Sequence, residues 1–342
     1  MVSPNVALTT DAYVPILKSK RAELDAIGGC TKDRLVPLLE VVDPVGAAAA
    51  ISRVWQGPNQ IWVQALNAEG QDDSEFAPVV DDLFAALRHE AVTSVPVITA
   101  TEEPLTLGVV ASVVRTDGRG VVIRLDVEDL IDEAINMATD VESTVASLGL
   151  ARSEVDIVVD AGLLSGSVAI QAAVAGQAVH ALPALNDWRS VVVAFSAFPS
   201  AIGEVAPRES VTAISRADAS AFMTVRPGIG RPVVFADYAI GVPTYGGAPF
   251  TPIPNMRYTS DTDWLVHRAK ERKAPSPQYR ALASGIVSAP YYSGASFSIA
   301  DQQISDIADG SAGPGNATTH LRIGMSRHIH VVLERLATLG EP

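Results

Sequence analysis

Short apolar runs rich in β-branched residues punctuate the first 240 residues, and they are continuous rather than alternating. Continuous runs mark strands buried on both faces, as in a parallel sheet covered by helices. The pattern predicts eight strands, over 13–17, 35–42, 60–66, 94–99, 121–126, 155–160, 190–195 and within 231–241. Helical spacing separates most of them, over 21–27, from Pro44 to a break at Gly57, over 75–90, over 104–115, from Val127 onward and over 209–224. Pro44 suits the first turn of its helix, where a missing N–H costs nothing. Val127, Leu130, Ile131, Ala134 and Ile135 share one side of the fifth helix. Strands recur at intervals of roughly 20–40 residues, the length of one β/α unit.

Eight such units predict an α/β fold, a (β/α)8 TIM-like barrel over residues 1–241. An open doubly wound sheet gives the same alternation, but the glycine-rich first crossover of a dinucleotide fold is missing. Beyond Gly241 the texture changes to Gly, Pro, Tyr and Asn, followed by helical spacing over 278–287, 299–307 and 318–339. Residues 242–342 are therefore expected to form a mostly helical C-terminal extension. Because the chain leaves strand eight at the barrel mouth, the extension is expected to cover that mouth as a lid.

Bulk properties narrow the partners. The 342 residues carry 39 acidic and 25 basic side chains, a net charge of −14, which disfavours direct DNA binding. A single cysteine, Cys30, excludes an internal disulfide framework. With neither a secretory leader nor an apolar run long enough for a span in view, the expected location is the cytoplasm, with no membrane association.

In a barrel, polar groups at the carboxyl ends of strands face a common mouth. Here those ends are Lys18, Glu40, Gln64, Thr99, Asp126, Asp160, Ser196 and Asp237. Period-two alternation puts Arg124 and Asp126 on one face as a candidate inward pair. Asp160 and Asp237 are expected close together across the mouth, suited to acid–base work or to a divalent metal. Each carboxylate has a plainer reading as the cap of the next helix. His328 and His330 are two apart on a stretch that reads as helix, so they do not share a face and only His328 stays a candidate. No nucleophile elbow, phosphate loop or zinc-protease motif is present.

Four local patterns carry a resemblance: Tyr13-Val-Pro-Ile-Leu-Lys18-Ser-Lys20 with Glu23; Phe235-Ala-Asp237-Tyr238; Arg257-Tyr258-Thr259 with Trp264-Leu-Val-His-Arg268; and Phe297-Ser with Asp301, Gly315-Asn316-Ala-Thr318-Thr and His328-Ile. In order and spacing the chain resembles the phage beta-protein family, found in phages and in bacterial genomic islands, some beside defence genes. The resemblance implies a shared architecture and shared polar positions, namely Lys18, Lys20, Glu23, Asp237, Tyr238, Arg257, Tyr258, Trp264, Arg268, Asp301, Asn316, Thr318 and His328. The chain departs from the pattern at His320, where Trp is usual, at Arg327, where a second His is common, and at Ala269, where Gly is typical.

Rim and lid together predict a site for a phosphorylated or carboxylated small molecule and a role in phage–host conflict. The expected reaction is hydrolysis of a phosphoester or nucleotide-like substrate. Asp160 or Asp237 would act as base or metal ligand, His328 as acid and the arginines as charge stabilisers, with Glu40, Arg124, Asp126, Tyr238, Tyr258, Trp264, Asp301 and Asn316 around the substrate. Lys18 offers a Schiff-base alternative with pyridoxal phosphate. A third reading is non-catalytic, a recognition subunit that binds a partner protein in a defence complex.

Overall fold

The computed structural model describes residues 5–56, 59–127, 134–164, 166–245 and 252–342. Eight parallel strands, β1 (Tyr13–Lys18), β2 (Leu38–Val41), β3 (Ile61–Ala65), β4 (Ser94–Ile98), β5 (Val121–Asp126), β6 (Val155–Leu163), β7 (Ser190–Ser196) and β9 (Val234–Asp237), close into a barrel. The seam pairs Tyr13 with Phe235 and Val14 with Ala236. Alternation along each strand divides two cores. Val14, Ile16, Trp62, Val122, Val158 and Ala236 fill the lumen. Tyr13, Leu17, Val63, Ile123, Val159 and Phe235 face the helices. The amino-terminal end of the lumen is closed by Leu8, whose N–H donates to Ser190 Oγ (2.8 Å), and by the buried pair Asp156–Arg189.

The outer layer comprises α1 (Arg21–Gly28), α2 (Ala47–Val54), α3 (Asp73–His89), α4 (Pro104–Asp117), α5 (Ala134–Leu148), α6 (Val168–Ala181), the single turn α7 (Ile202–Val205) and α8 (Ala217–Val225). The Asp72 carboxylate caps α3 by accepting the Glu75 N–H. Leu130 and Ile131 lie outside the described residues, as do the side chains of Ala134 and Ile135. Helix α6 carries no amphipathic period, because it is Ala- and Val-rich on every side. The expected single helix over 209–224 is two elements: β8 (Ser210–Ser215) precedes α8. Val211, Thr212 and Ile214 favour a strand, and β8 finds its partner fifty residues downstream.

That partner belongs to the extension. The hairpin β10 (Asn255–Thr259) and β11 (Asp263–Arg268) joins β8 in an antiparallel sheet of order β10–β11–β8. Three helices follow, α9 (Pro275–Val287), α10 (Ile299–Asp309) and α11 (Ala317–Leu339). Met256, Tyr258, Tyr279, Ala283, Ile304 and Ile323 give the extension a core of its own. Helix α11 belongs to two cores, since Met325, Ile329, Val332 and Leu336 pack into the layer between barrel strands and helices. It lies on α1 and β1, and the Arg226 guanidinium, just past α8, donates to Gly340 O (2.6 Å) beyond its far end. Helix α11 thus fills the eighth place in the helical ring, and the rest of the extension flanks the mouth beside β1 and β9.

A chain ending at residue 241 lacks this eighth helix. It should show no cooperative thermal transition, whereas the full chain should; a sharp transition in the truncated chain would mean that residues 1–241 fold alone.

Candidate functional site

The polar ends of the strands meet in the lumen, one layer above the apolar core. Register aligns Lys18 with Glu40 and Glu40 with Gln64. Arg124 holds the layer together. Its Nη1 donates to Glu40 Oε1 and Gln64 Oε1 (2.8 Å each), its Nε and Nη2 to Asp160 Oδ2 (3.0 and 2.7 Å), and its Nη2 also to the Tyr238 hydroxyl (2.6 Å). Tyr238 donates in turn to Asp160 Oδ2 at 2.5 Å. Burial works against the guanidinium charge, but Asp160, Tyr238 and Glu40 outweigh it and raise the Arg124 pKa; burial and the Asp160 charge likewise push up Tyr238. The sequence paired Arg124 with Asp126; its bidentate partner is Asp160, one strand over, and Asp126 is exposed at the rim.

Residues 242–245 cross this layer as a strap. Lys18 Nζ donates to the carbonyls of Val242 (3.1 Å) and Thr244 and sits 4.6 Å from the Tyr245 ring centroid. Tyr245 donates to Glu40 Oε2 at 2.9 Å. Burial lowers the Lys18 pKa, with Lys20 adding to the effect and Glu40 opposing it.

Asp237 and His328 come together, but not at the mouth. Asp237 precedes lumen-facing Tyr238, so it points outward, and β7 separates its strand from that of Asp160. Both side chains are sealed between the wall and α11, at 1% and 0% exposure. His328 Nε2 lies 2.8 Å from Asp237 Oδ2, while its Nδ1 accepts the Trp264 indole N–H at 3.1 Å. An indole N–H can only donate, so Nδ1 is bare, the ring is neutral, and Nε2–H points at the carboxylate. Asp237 Oδ1 accepts from the Tyr13 hydroxyl (2.5 Å) and the Ala239 N–H (2.8 Å). Arg216 and Asp218, paired at 3.0 Å, complete the cluster. Burial would raise the Asp237 pKa, but His328, Arg216 and Tyr13 bring it below the ordinary value; burial does raise Asp218.

The other motif residues are mostly fasteners. Asp301 is fully buried, accepts from Tyr258 (2.9 Å), Ser298 (2.5 Å) and Arg327 (2.6 Å), and ties α10 to α11. Arg327 also stacks over the Tyr258 and Phe297 rings. Arg268 donates to Ala206 O at 2.5 Å, past α7. Asn316 caps α11 by accepting the Thr319 N–H (3.0 Å). His330, two residues from His328, points elsewhere and meets the Phe297 ring edge-on.

One open cavity adjoins the mouth, about 460 Å³ in volume, between the ends of β1 and β9 and the first turns of α1 and α11. Lys18, Lys20, Arg21, Glu23, Glu40, Arg257 and Thr318 contribute polar groups to it. The first turn of α1 opens here; Lys20, its N-cap residue, makes no side-chain cap bond, while the Glu23 carboxylate accepts its own backbone N–H. Free N–H groups at a helix start attract anions. Burial pushes the Arg257 guanidinium down to about 10, although Glu23 opposes the shift. Arg257 donates to Ile240 O (2.8 Å) and lies over the Phe198 ring. Among the described residues, no group of three or more His, Cys, Asp or Glu is arranged to hold a metal ion, and no helix is long and apolar enough to cross a membrane.

Sequence reasoning missed Tyr13 as the Asp237 partner, Tyr245 in the strap, and the Arg216–Asp218 pair, which lay in a stretch read as plain helix. Arg216-x-Asp218 at a helix start was the available signal. Arg327 stood out only as a departure from the family pattern.

Closed parallel topology and a cation-lined cavity at the carboxyl end define a (β/α)8-barrel protein with an elaborated eighth unit. Within that class the chain belongs to the Beta protein family, whose model matches residues 13–334, from the first barrel residue to the last helix. No curated protein sequence matches the chain. Similar solved structures include a tryptophan synthase α-subunit mutant from Pyrococcus furiosus (11% identity, 68% of this chain and 89% of that one, TM-score 0.40). Triosephosphate isomerase from Bartonella henselae gives 9% identity over 66% and 92%, with a TM-score of 0.33. The carboxyl transferase domain of Rhizobium etli pyruvate carboxylase gives 12% over 94% and 47%, with a TM-score of 0.36.

Asp237→Ala strands His328, Tyr13 and Arg216 in a dry layer and should cost about 3–5 kcal/mol of stability in urea unfolding; a loss under about 1 kcal/mol would mean that the pair is not the fastener described.

Burial lowers both His267 and His320 to about 4, from the ordinary 6.5. The unfolded chain therefore binds more protons between those values, so this contribution to stability is complete above pH 6.5 and declines toward pH 4. His320→Gln should flatten the fall in Tm across that window; parallel curves for variant and wild type would remove His320 from the account.

Proposed function

We propose that this Beta-family barrel binds a small phosphorylated molecule in the cavity beside its mouth. One observation carries the reading: Lys18, Lys20, Arg21 and Arg257 converge on one cavity at the start of α1, in a chain whose net charge is −14. A local cationic pocket against an acidic background concentrates small anions and leaves long polyanions repelled. Its volume falls within the roughly 300–1,000 Å³ usual for small-molecule sites. Carboxylated ligands share the same charge logic; phosphate uses more of the converging donors. A role in phage–host conflict, implied by the family resemblance, would then be the recognition or processing of such a molecule.

Asp237 and His328 do not serve this reading as base and acid, because both are enclosed and mutually paired. Incubating the protein with a ligand that binds separates the two remaining forms. Release of inorganic phosphate marks a hydrolase. An unchanged ligand marks a recognition subunit that reports the bound molecule to a partner protein.

A thermal-shift screen against sugar phosphates and nucleotides should raise Tm, since ligand at one hundred times Kd contributes about 2.7 kcal/mol. Lys20→Ala should weaken binding by about tenfold, the usual scale for one charged hydrogen bond. Absence of any shift across phosphorylated compounds would discard the reading.

A further inference from the structure

Resting on that reading, we infer that Glu23 makes the cavity selective for a phosphate ester bearing a hydroxyl group, such as a sugar or polyol phosphate. Glu23 sits in the first turn of α1, is 8% exposed, and lines the cavity among its cations. Its Oε2 is buried and has no hydrogen-bond partner among the described residues. A buried carboxylate oxygen without a donor is costly. The charges of Lys20, Lys18 and Arg257 favour the ionised group but none of them gives Oε2 a hydrogen bond, Lys18 being engaged by the strap carbonyls and Lys20 exposed. Arg257 likewise spends Nη1 on Ile240 O. Glu40, the other carboxylate lining the cavity, is satisfied by Arg124 and Tyr245. Glu23 Oε2 is therefore an acceptor standing beside an anion site and waiting for a donor.

The charge around it decides which donor. A ligand ammonium at Glu23 would stand among Lys18, Lys20, Arg21 and Arg257, which line the same cavity and repel it. A neutral hydroxyl on the same molecule as the phosphate satisfies the acceptor without that repulsion. The selective element is then the pairing of two features on one ligand: a phosphate for the cations and the α1 N–H groups, and a hydroxyl for Glu23. Methyl phosphate, which has only the first, leaves Oε2 unpaired in the complex.

The test is calorimetric Kd measurement for methyl phosphate, glycerol 1-phosphate and phosphoethanolamine, with wild type and Glu23→Gln. Wild type should bind glycerol 1-phosphate more tightly than methyl phosphate by on the order of tenfold or more, and phosphoethanolamine no better than methyl phosphate. Glu23→Gln removes a negative charge and so tightens every anion somewhat, and its amide oxygen is a weaker acceptor than a carboxylate. The readout is the ratio of the two affinities, which should fall well below the wild-type value. Equal wild-type affinities, a ratio unchanged in Glu23→Gln, or a preference for phosphoethanolamine would each overturn the inference while leaving the anion site intact. Failure of wild type to bind any of the three would instead overturn the anion site, and the inference with it. Matching thermal transitions for the two proteins establish that the variant is folded.

Discussion

The contact between Asp237 and His328 joins everything this chain adds to a plain barrel. Asp237 ends the last strand of the wall, and His328 sits midway along the helix that completes the ring. Between them they fix the Tyr13 hydroxyl on the first strand and the Trp264 indole in the added sheet. Four elements far apart in sequence thus meet at one neutral imidazole and one carboxylate with no access to water. In so dry a layer the polar contacts among Asp237, His328, Tyr13 and Trp264 are directional, so the geometry tolerates few other arrangements. This holds even though Arg216 Nε and Nη1 and Asp218 Oδ1 beside them have no hydrogen-bond partner among the described residues. A hydrophobic contact of the same size would hold the helix against the wall but would not fix its rotation or its height.

Fixing that height has a consequence at the mouth. Helix α11 runs past the barrel rim, and its first turn brings Thr318 to the cavity beside Arg257. Gly324 allows the close approach, since a Cβ there would stand 2.9 Å from Arg257 O and from the Ile240 side chain. The cavity is therefore built across the seam between β1 and β9, mostly from the barrel, with Arg257 of β10 and Thr318, Leu321 and Met325 of α11 closing one side. Its cations come from two sources more than two hundred residues apart.

Inside the barrel the logic differs. Arg124 uses its guanidinium donors on neighbours in the same layer, so the lumen ends in a closed polar plate rather than an open funnel. The strap over it uses Lys18 and Tyr245 in the same way. What stays open lies to one side, where Lys20 is exposed and Glu23 Oε2 has no hydrogen-bond partner among the described residues.

The chain's hydrophobic pattern was enough to set the fold class. Continuous β-branched runs separated by helical spacing allow little except a covered parallel sheet, and eight of them without a dinucleotide turn specify a barrel. The motifs likewise carried the family, because order and spacing survive in the linear chain. Alternation put Arg124 on the inward face but paired it with Asp126, which stands exposed at the rim; Asp160, its partner, was marked only by its place at a strand end. The face was misjudged for Asp237, whose strand ends one residue before lumen-facing Tyr238. Strand β8 was hidden because its partner β11 is distant in sequence, and a lone strand of mixed composition has no local signature. The burial and pairing of Asp301, Arg327 and His328 came from tertiary structure alone, since neither property exists until the chain is folded.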